Sequence, residues 1–128
     1  MYPVSNLYKG LAHTANLTVG SCGITNFTNA FKIYIDYNQN TVFTDPGEEV
    51  YFSGTGGLTC VPPTTVNATF TVPITALSGP TRMRVIDQEG GQSSATTIVP
   101  CGTYGYGETE DYVVNIIQPS PYDPGEQY

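Results

Sequence analysis

Apolar and polar residues alternate with a period of two in short stretches bounded by Gly, Pro and Asn, which is the strand signature. No window spaces apolar residues as an amphipathic helix would, so helix is expected to be nearly absent. The clearest stretch is residues 30–36: Phe31, Ile33 and Ile35 point one way and Lys32, Tyr34 and Asp36 the other, predicting a half-buried strand. Similar patterns predict strands at residues 16–19, 49–53, 67–72, 81–86, 96–99 and 111–117. About seven strands are enough for two packed layers. The expected fold is therefore all-β, a two-sheet antiparallel β-sandwich of Ig-like or jelly-roll-like kind. Ser53-Gly54-Thr55-Gly56-Gly57 and Glu89-Gly90-Gly91 read as turns that divide strands, not domains.

The chain has 128 residues, one domain's worth. The sandwich is expected over residues 13–117. Residues 1–12 read as an N-terminal tail and possible donor strand. Residues 118–128 read as a Pro-rich tail, because Pro119, Pro121 and Pro124 exclude a continuous central strand.

Charge narrows the function classes. Four Lys and Arg stand against 11 Asp and Glu, a net charge of −7, which excludes the clustered cations that nucleic acid binding needs. Charged residues make up 12%, against about 25% in an average domain. Threonines and tyrosines take their place, and a secreted, extracellular or cell-surface location is expected. No apolar run is long enough to span a membrane, and no signal peptide opens the chain, so a secreted protein would be met here in mature form. Cys22, Cys60 and Cys101 lie far apart, unlike zinc or redox pairs; they predict one disulfide and one leftover thiol, with three pairings open.

The segment from Asp36 to Glu48 carries oxygen-bearing side chains at its first, third and fifth positions. A calcium ion takes six to eight oxygen ligands, and alternate side chains with one carbonyl can converge on it. Asp36, Asn38, Asn40 and the Val42 carbonyl would form the set, with Glu48 closing it and Asp45, Glu110 or Asp111 as further candidates. Thr41 stands where the turn glycine of a helical calcium loop belongs, and Glu48 comes one residue late, which excludes an EF-hand. The plainer reading is a hydrophilic loop in which Asp36 and Asn38 cap backbone amides and Asn40 takes a left-handed conformation.

Glu108, Glu110 and Asp111 crowd three carboxylates ahead of the apolar run 112–117 and need cations nearby. Glu108 and Glu110 share a strand face, and Asp111 projects opposite. Arg82 and Arg84 are the expected partners, in ion pairs that would pin the last strand. Catalysis is not expected: glycoside hydrolysis would need more than paired carboxylates, there is no Trp, His13 is the single histidine, and no nucleophile motif occurs. His13 is given no function. Asn16, Asn26 and Asn67 head Asn-x-Thr sequons, so attached glycans are possible in a suitable host.

The run Ile35-Asp36-Tyr37-Asn38-Gln39-Asn40 through Phe43 and Pro46-Gly47-Glu48, then Thr81-Arg82-Met83-Arg84-Val85, then Gly107-Glu108-Thr109-Glu110-Asp111-Tyr112, occur in order. Together they resemble the GEVED domain family over about residues 13–117, with Thr109 where the family usually has Val. The resemblance implies a β-sandwich module of secreted and surface proteins, especially of Bacteroidota. It implies the pairing Cys22–Cys101, leaving Cys60 unpaired. It also implies a weaker calcium loop, since relatives commonly carry Asp and Gly where this chain has Asn40 and Thr41.

The function expected is a structural subunit of an extracellular bacterial fibre, a homopolymer assembled by tail or strand exchange with calcium as a structural ion. Tyr2, Val4, Leu7 and Tyr8 would fill a neighbour's pockets, and Tyr122 and Tyr128 would anchor the second tail. The alternative is a calcium-dependent adhesion or carbohydrate-binding module of a larger surface protein.

Overall fold

A computed structural model describes residues 5–19, 27–60, 64–90 and 96–120. Its strands are β1 (Ser5–Tyr8), β2 (Ala12–Val19), β3 (Phe27–Ile35), β4 (Glu49–Phe52), β5 (Leu58–Cys60), β6 (Thr64–Thr71), β7 (Gly79–Glu89) and β8 (Gly107–Ile117). One sheet has the order β1-β8-β7-β3-β4, with β5 also pairing β3; the second is β2-β6. The pairs are antiparallel apart from β1 with β8, which run parallel. The expected all-β sandwich is therefore the observed fold.

Period-two alternation builds the core between the layers. Ile33 and Ile35 of β3, Val114 and Ile116 of β8, and Ala68 and Phe70 of β6 are all buried there, joined by Leu7 from β1. Each of the larger aliphatic side chains contributes about 1.5–3 kcal/mol by leaving water. On β2 and β6 the outward positions are polar: Thr14 meets Thr69 through their hydroxyls at 3.0 Å, and Asn16 lies opposite Asn67.

Three expectations are corrected. Residues 96–99 are not a strand. Thr96 and Thr97 form a turn, and a second turn closes with the Gly102 amide on the Val99 carbonyl at 3.2 Å. The segment places Ile98 on the outer face of the large sheet, where it is fully buried with Ala30, Tyr34, Phe43 and Ile86. For that reason β3 is covered on both faces rather than half-buried: Lys32 and Tyr34, expected to face water, are 3% exposed each. Thirdly, the stretch expected as a tail up to residue 12 supplies β1, an edge strand of the chain's own sheet, and opens β2 at Ala12. β5, three residues long, was not legible at all.

Candidate functional site

The loop after β3 is held at its base by the ladder. The Ile35 amide donates to the Glu48 carbonyl at 2.9 Å, the Asp36 amide to the Arg82 carbonyl at 3.1 Å, and the Thr81 hydroxyl to the Asp36 carbonyl at 2.6 Å. The Gln39 amide group reaches the Leu77 and Ser78 carbonyls at 3.3 and 3.1 Å, fixing the loop to the segment before β7. Asp36 is buried and accepts backbone amides on both carboxylate oxygens, from Asn40 at 3.1 Å and Thr41 at 2.8 Å. Asn38 and Asn40 cap the amides two residues on. Their side-chain NH2 groups both donate to Asp45, at 3.0 and 2.6 Å, and these bonds hold its carboxyl below the usual carboxylate range. The capping expected of a hydrophilic loop is thus present. The left-handed residues other than glycine are Gln39 and Thr41, at φ 56° and 73°, not Asn40. For β-branched Thr41 this is a strained conformation, in the place where a turn glycine would serve.

Glu48 is the exception to this self-sufficiency. It is 2% exposed; one oxygen accepts the Asn38 amide at 3.3 Å and the other has no hydrogen-bond partner. Burial, followed by the charges of Asp36 and Asp45, pushes its carboxyl up from the ordinary value. Among the described residues no three His, Cys, Asp or Glu side chains converge as a metal cluster, so a cation here would depend on Asn and main-chain oxygens as well. The donors are all hard oxygens and one is buried and unpaired, which fits calcium. Val42 sits on the rim, 44% exposed.

The second motif is arranged differently. Arg84 grips Asp111 with both arms, Nε to Oδ1 at 2.7 Å and Nη2 to Oδ2 at 2.8 Å, while its Nη1 reaches the Pro100 carbonyl at 2.8 Å. The more exposed Arg82 stands 3.8 Å from the same carboxylate. The guanidinium of Arg84 holds the Asp111 carboxyl below its usual value. The expected ion pairs thus form at Asp111 but not at Glu108 or Glu110, which face the other side of β8 beside Asp87. Burial, then the charges of Glu89 and Glu108, raises the Asp87 carboxyl to about 6. Glu110 accepts a hydrogen bond from the Tyr112 hydroxyl, and Glu108 is raised chiefly by Glu110. Neither Glu110 nor Asp111 hydrogen-bonds into the loop. Gly107 is obligatory: a Cβ there would lie 2.1 Å from the Asp87 carbonyl, at φ 148°.

Phe43 joins the two motifs. Its ring packs on Tyr34, centroids 6.0 Å apart, and lies 5.2 Å beneath the Arg84 guanidinium. In the sequence Phe43 is legible only as a letter of the acidic motif. The Lys32–Glu49 ion pair at 2.8 Å also escapes the alternation: the Lys32 side chain is buried whereas Glu49 stays exposed.

The remaining candidates fall apart in space. Cys101 is an exposed free cysteine, and Cys22 lies outside the described residues, as do Tyr2, Val4, Asn26, Tyr122 and Tyr128. Leu7 is spent in the chain's own core, and Tyr8 stacks on His13, centroids 6.1 Å apart. His13 Nε2 accepts the Tyr8 amide at 2.9 Å, a structural task. Asn16 and Asn67 are exposed neighbours on the outer face of the small sheet.

No curated protein matches the chain. The family profile of the GEVED domain matches residues 30–115, a span that runs from β3 through the acidic loop and the Arg84–Asp111 lock into β8. With the ordered motifs, the sandwich and this match in agreement, the chain belongs to the GEVED domain family.

Proposed function

We propose that this chain is a non-catalytic, calcium-stabilised building block of an extracellular bacterial fibre. The observation that supports the ion is Glu48, a buried carboxylate with an unpaired oxygen. Arg82, Arg84 and Lys32 are engaged with Asp111 and Glu49, so their charge is committed elsewhere. A buried carboxylate without a counter-charge costs several kcal/mol. A divalent cation held by Asp36 and Glu48 with the oxygens of Asn38, Asn40 and Val42 removes that cost, and stabilises the fold by linkage once its concentration exceeds the dissociation constant. Thermal melts with calcium and with chelator test this: a higher melting temperature in calcium is expected, and identical curves overturn the ion.

Assembly by strand exchange finds support in β1. It is four residues long, lies at the sheet edge, and is joined to β2 by a turn through Gly10 at φ 82°. A neighbour's β1 can make the same parallel contacts and seat the same Leu7, and head-to-tail exchange of this kind is open-ended. Native material is then expected to run as an assembly far larger than 13.8 kDa. An excess of free peptide spanning residues 1–11 should shorten it. A monomer at every concentration, with calcium present, removes the fibre and leaves the ion untouched.

A second reading, a calcium-dependent carbohydrate-binding or adhesion module, is favoured by an open cleft of about 380 Å³ beside the loop. Lys32, Tyr34, Phe43, Asp45, Glu49 and Ile98 line it, mixing rings with polar groups as sugar sites do. Calcium-dependent retention on a glycan array would favour this reading.

A further inference from the structure

Arg82 is the motif residue that the lock leaves over. Arg84 already holds both oxygens of Asp111, while Arg82 stands 3.8 Å from that carboxylate, beyond hydrogen-bond reach, with its side chain 62% exposed. Its N–H donors are therefore open, in a planar fork that fits a carboxylate. Two guanidiniums against one carboxylate also leave a local positive charge on a chain of net charge −7. Arg82 borders an open cleft of about 350 Å³ between the loop and the start of β7, with Gln39, Thr41, Phe43 and Pro80 among its other walls. That volume suits a sugar-sized ligand. Among the described residues the Thr41 hydroxyl and Gln39 Oε1 make no hydrogen bond: Thr41 bonds through its backbone amide, and the Gln39 NH2 is spent on the Leu77 and Ser78 carbonyls. Asp36, also in the wall, has both carboxylate oxygens occupied by backbone amides.

We infer that this cleft binds a carboxylate-bearing sugar, a uronic acid residue of an acidic polysaccharide. The Arg82 guanidinium takes the carboxylate in a charge-assisted pair, and Thr41 and Gln39 take ring hydroxyls beside Phe43 and Pro80. The site goes beyond the readings above, since it needs neither a bound ion nor assembly. It shares Phe43 alone with the cleft lined by Lys32 and Glu49.

The test is saturation-transfer NMR on the full chain in chelator, which observes the ligand and so serves monomer and assembly alike. Sodium glucuronate, glucose and sodium acetate are the probes. Glucuronate is expected to bind about tenfold or more tightly than either of the others, because the charge-assisted pair and the hydroxyl contacts act together. Arg82→Gln is expected to lower glucuronate affinity to that of glucose. Arg82→Lys keeps the charge beside Asp111 but loses the fork, and is expected to weaken glucuronate binding as well. Both variants should melt as the parent does, since the Arg82–Asp111 contact is exposed. Glucose binding as tightly as glucuronate overturns the role of the carboxylate. Acetate doing so makes the cleft a site for bare carboxylates, such as those of an acidic peptide, and overturns the sugar. A parent that does not bind glucuronate, or an Arg82→Gln variant that binds it unchanged, overturns the site, while the ion and the fibre stand.

Discussion

The loop 36–48 and the start of β8 are both acidic, yet they meet their charge in opposite ways. On β8, Asp111 is answered by two arginines, one of them bidentate. In the loop, Glu48 is buried deeper than Asp111 and, among the described residues, has no cation in an ion pair. Closed by its own chemistry, the β8 motif locks strands together. The loop leaves one oxygen of a buried carboxylate without a hydrogen-bond partner. Carboxylate content alone therefore does not say how a motif meets its charge; the placement of Lys32, Arg82 and Arg84 does.

The contrast is broken most severely at Arg84. Arg84→Ala strips the lock from Asp111, the cap from Phe43 and the donor from Pro100, and is expected to cost about 2–3 kcal/mol in urea unfolding. Neutralising one carboxylate in each motif should then give effects of opposite sign. Asp111→Asn loses about 1–2 kcal/mol, whereas Glu48→Gln in chelator is neutral or stabilising by about 1 kcal/mol and abolishes the calcium-induced rise in melting temperature. Equal signs for the two would erase the distinction.

Acidity provides a smaller test. The Asp87 carboxyl titrates at about 6, above its unfolded value of 3.8, so the folded state holds the proton more tightly. Its contribution to stability is full below pH 4 and is lost as pH rises through 6. Asp87→Asn should therefore gain about 1–2 kcal/mol at pH 7, after allowance for screening, and nothing at pH 3.5. Asp111, with its carboxyl lowered, works the other way: its stabilisation is present above the unfolded value and fades as pH falls through the folded one. The smallest effect is at Thr41. Thr41→Gly relieves the positive φ and should change stability by under about 1 kcal/mol; with Asn40→Asp added it tightens calcium binding, read by titration.

Much of this was legible in the sequence. The strand 30–36, its alternation and the opposite facing of Asp111 and Glu110 follow from a period of two, and the arginine partners follow from charge. What escaped was whatever depends on a third element. Lys32 and Tyr34 obey the alternation yet are buried, because Ile98 and Phe43 cover that face, and no pattern within β3 announces a cover. Thr96 to Val99 have strand composition yet form a turn that seats Ile98 on the large sheet. Glu48 reads as a loop carboxylate, and its burial is evident only in the folded loop.

The parallel pairing of β1 with β8 bears on mechanics. Ser5 lies beside Val114 and Tyr8 beside Ile117, so the chain enters at one end of this ladder and leaves β8 at the other. A force drawing the two flanking segments apart would slide the strands along each other, loading their hydrogen bonds together instead of one after another. An edge that looks weak because it is short is thus oriented to carry tension.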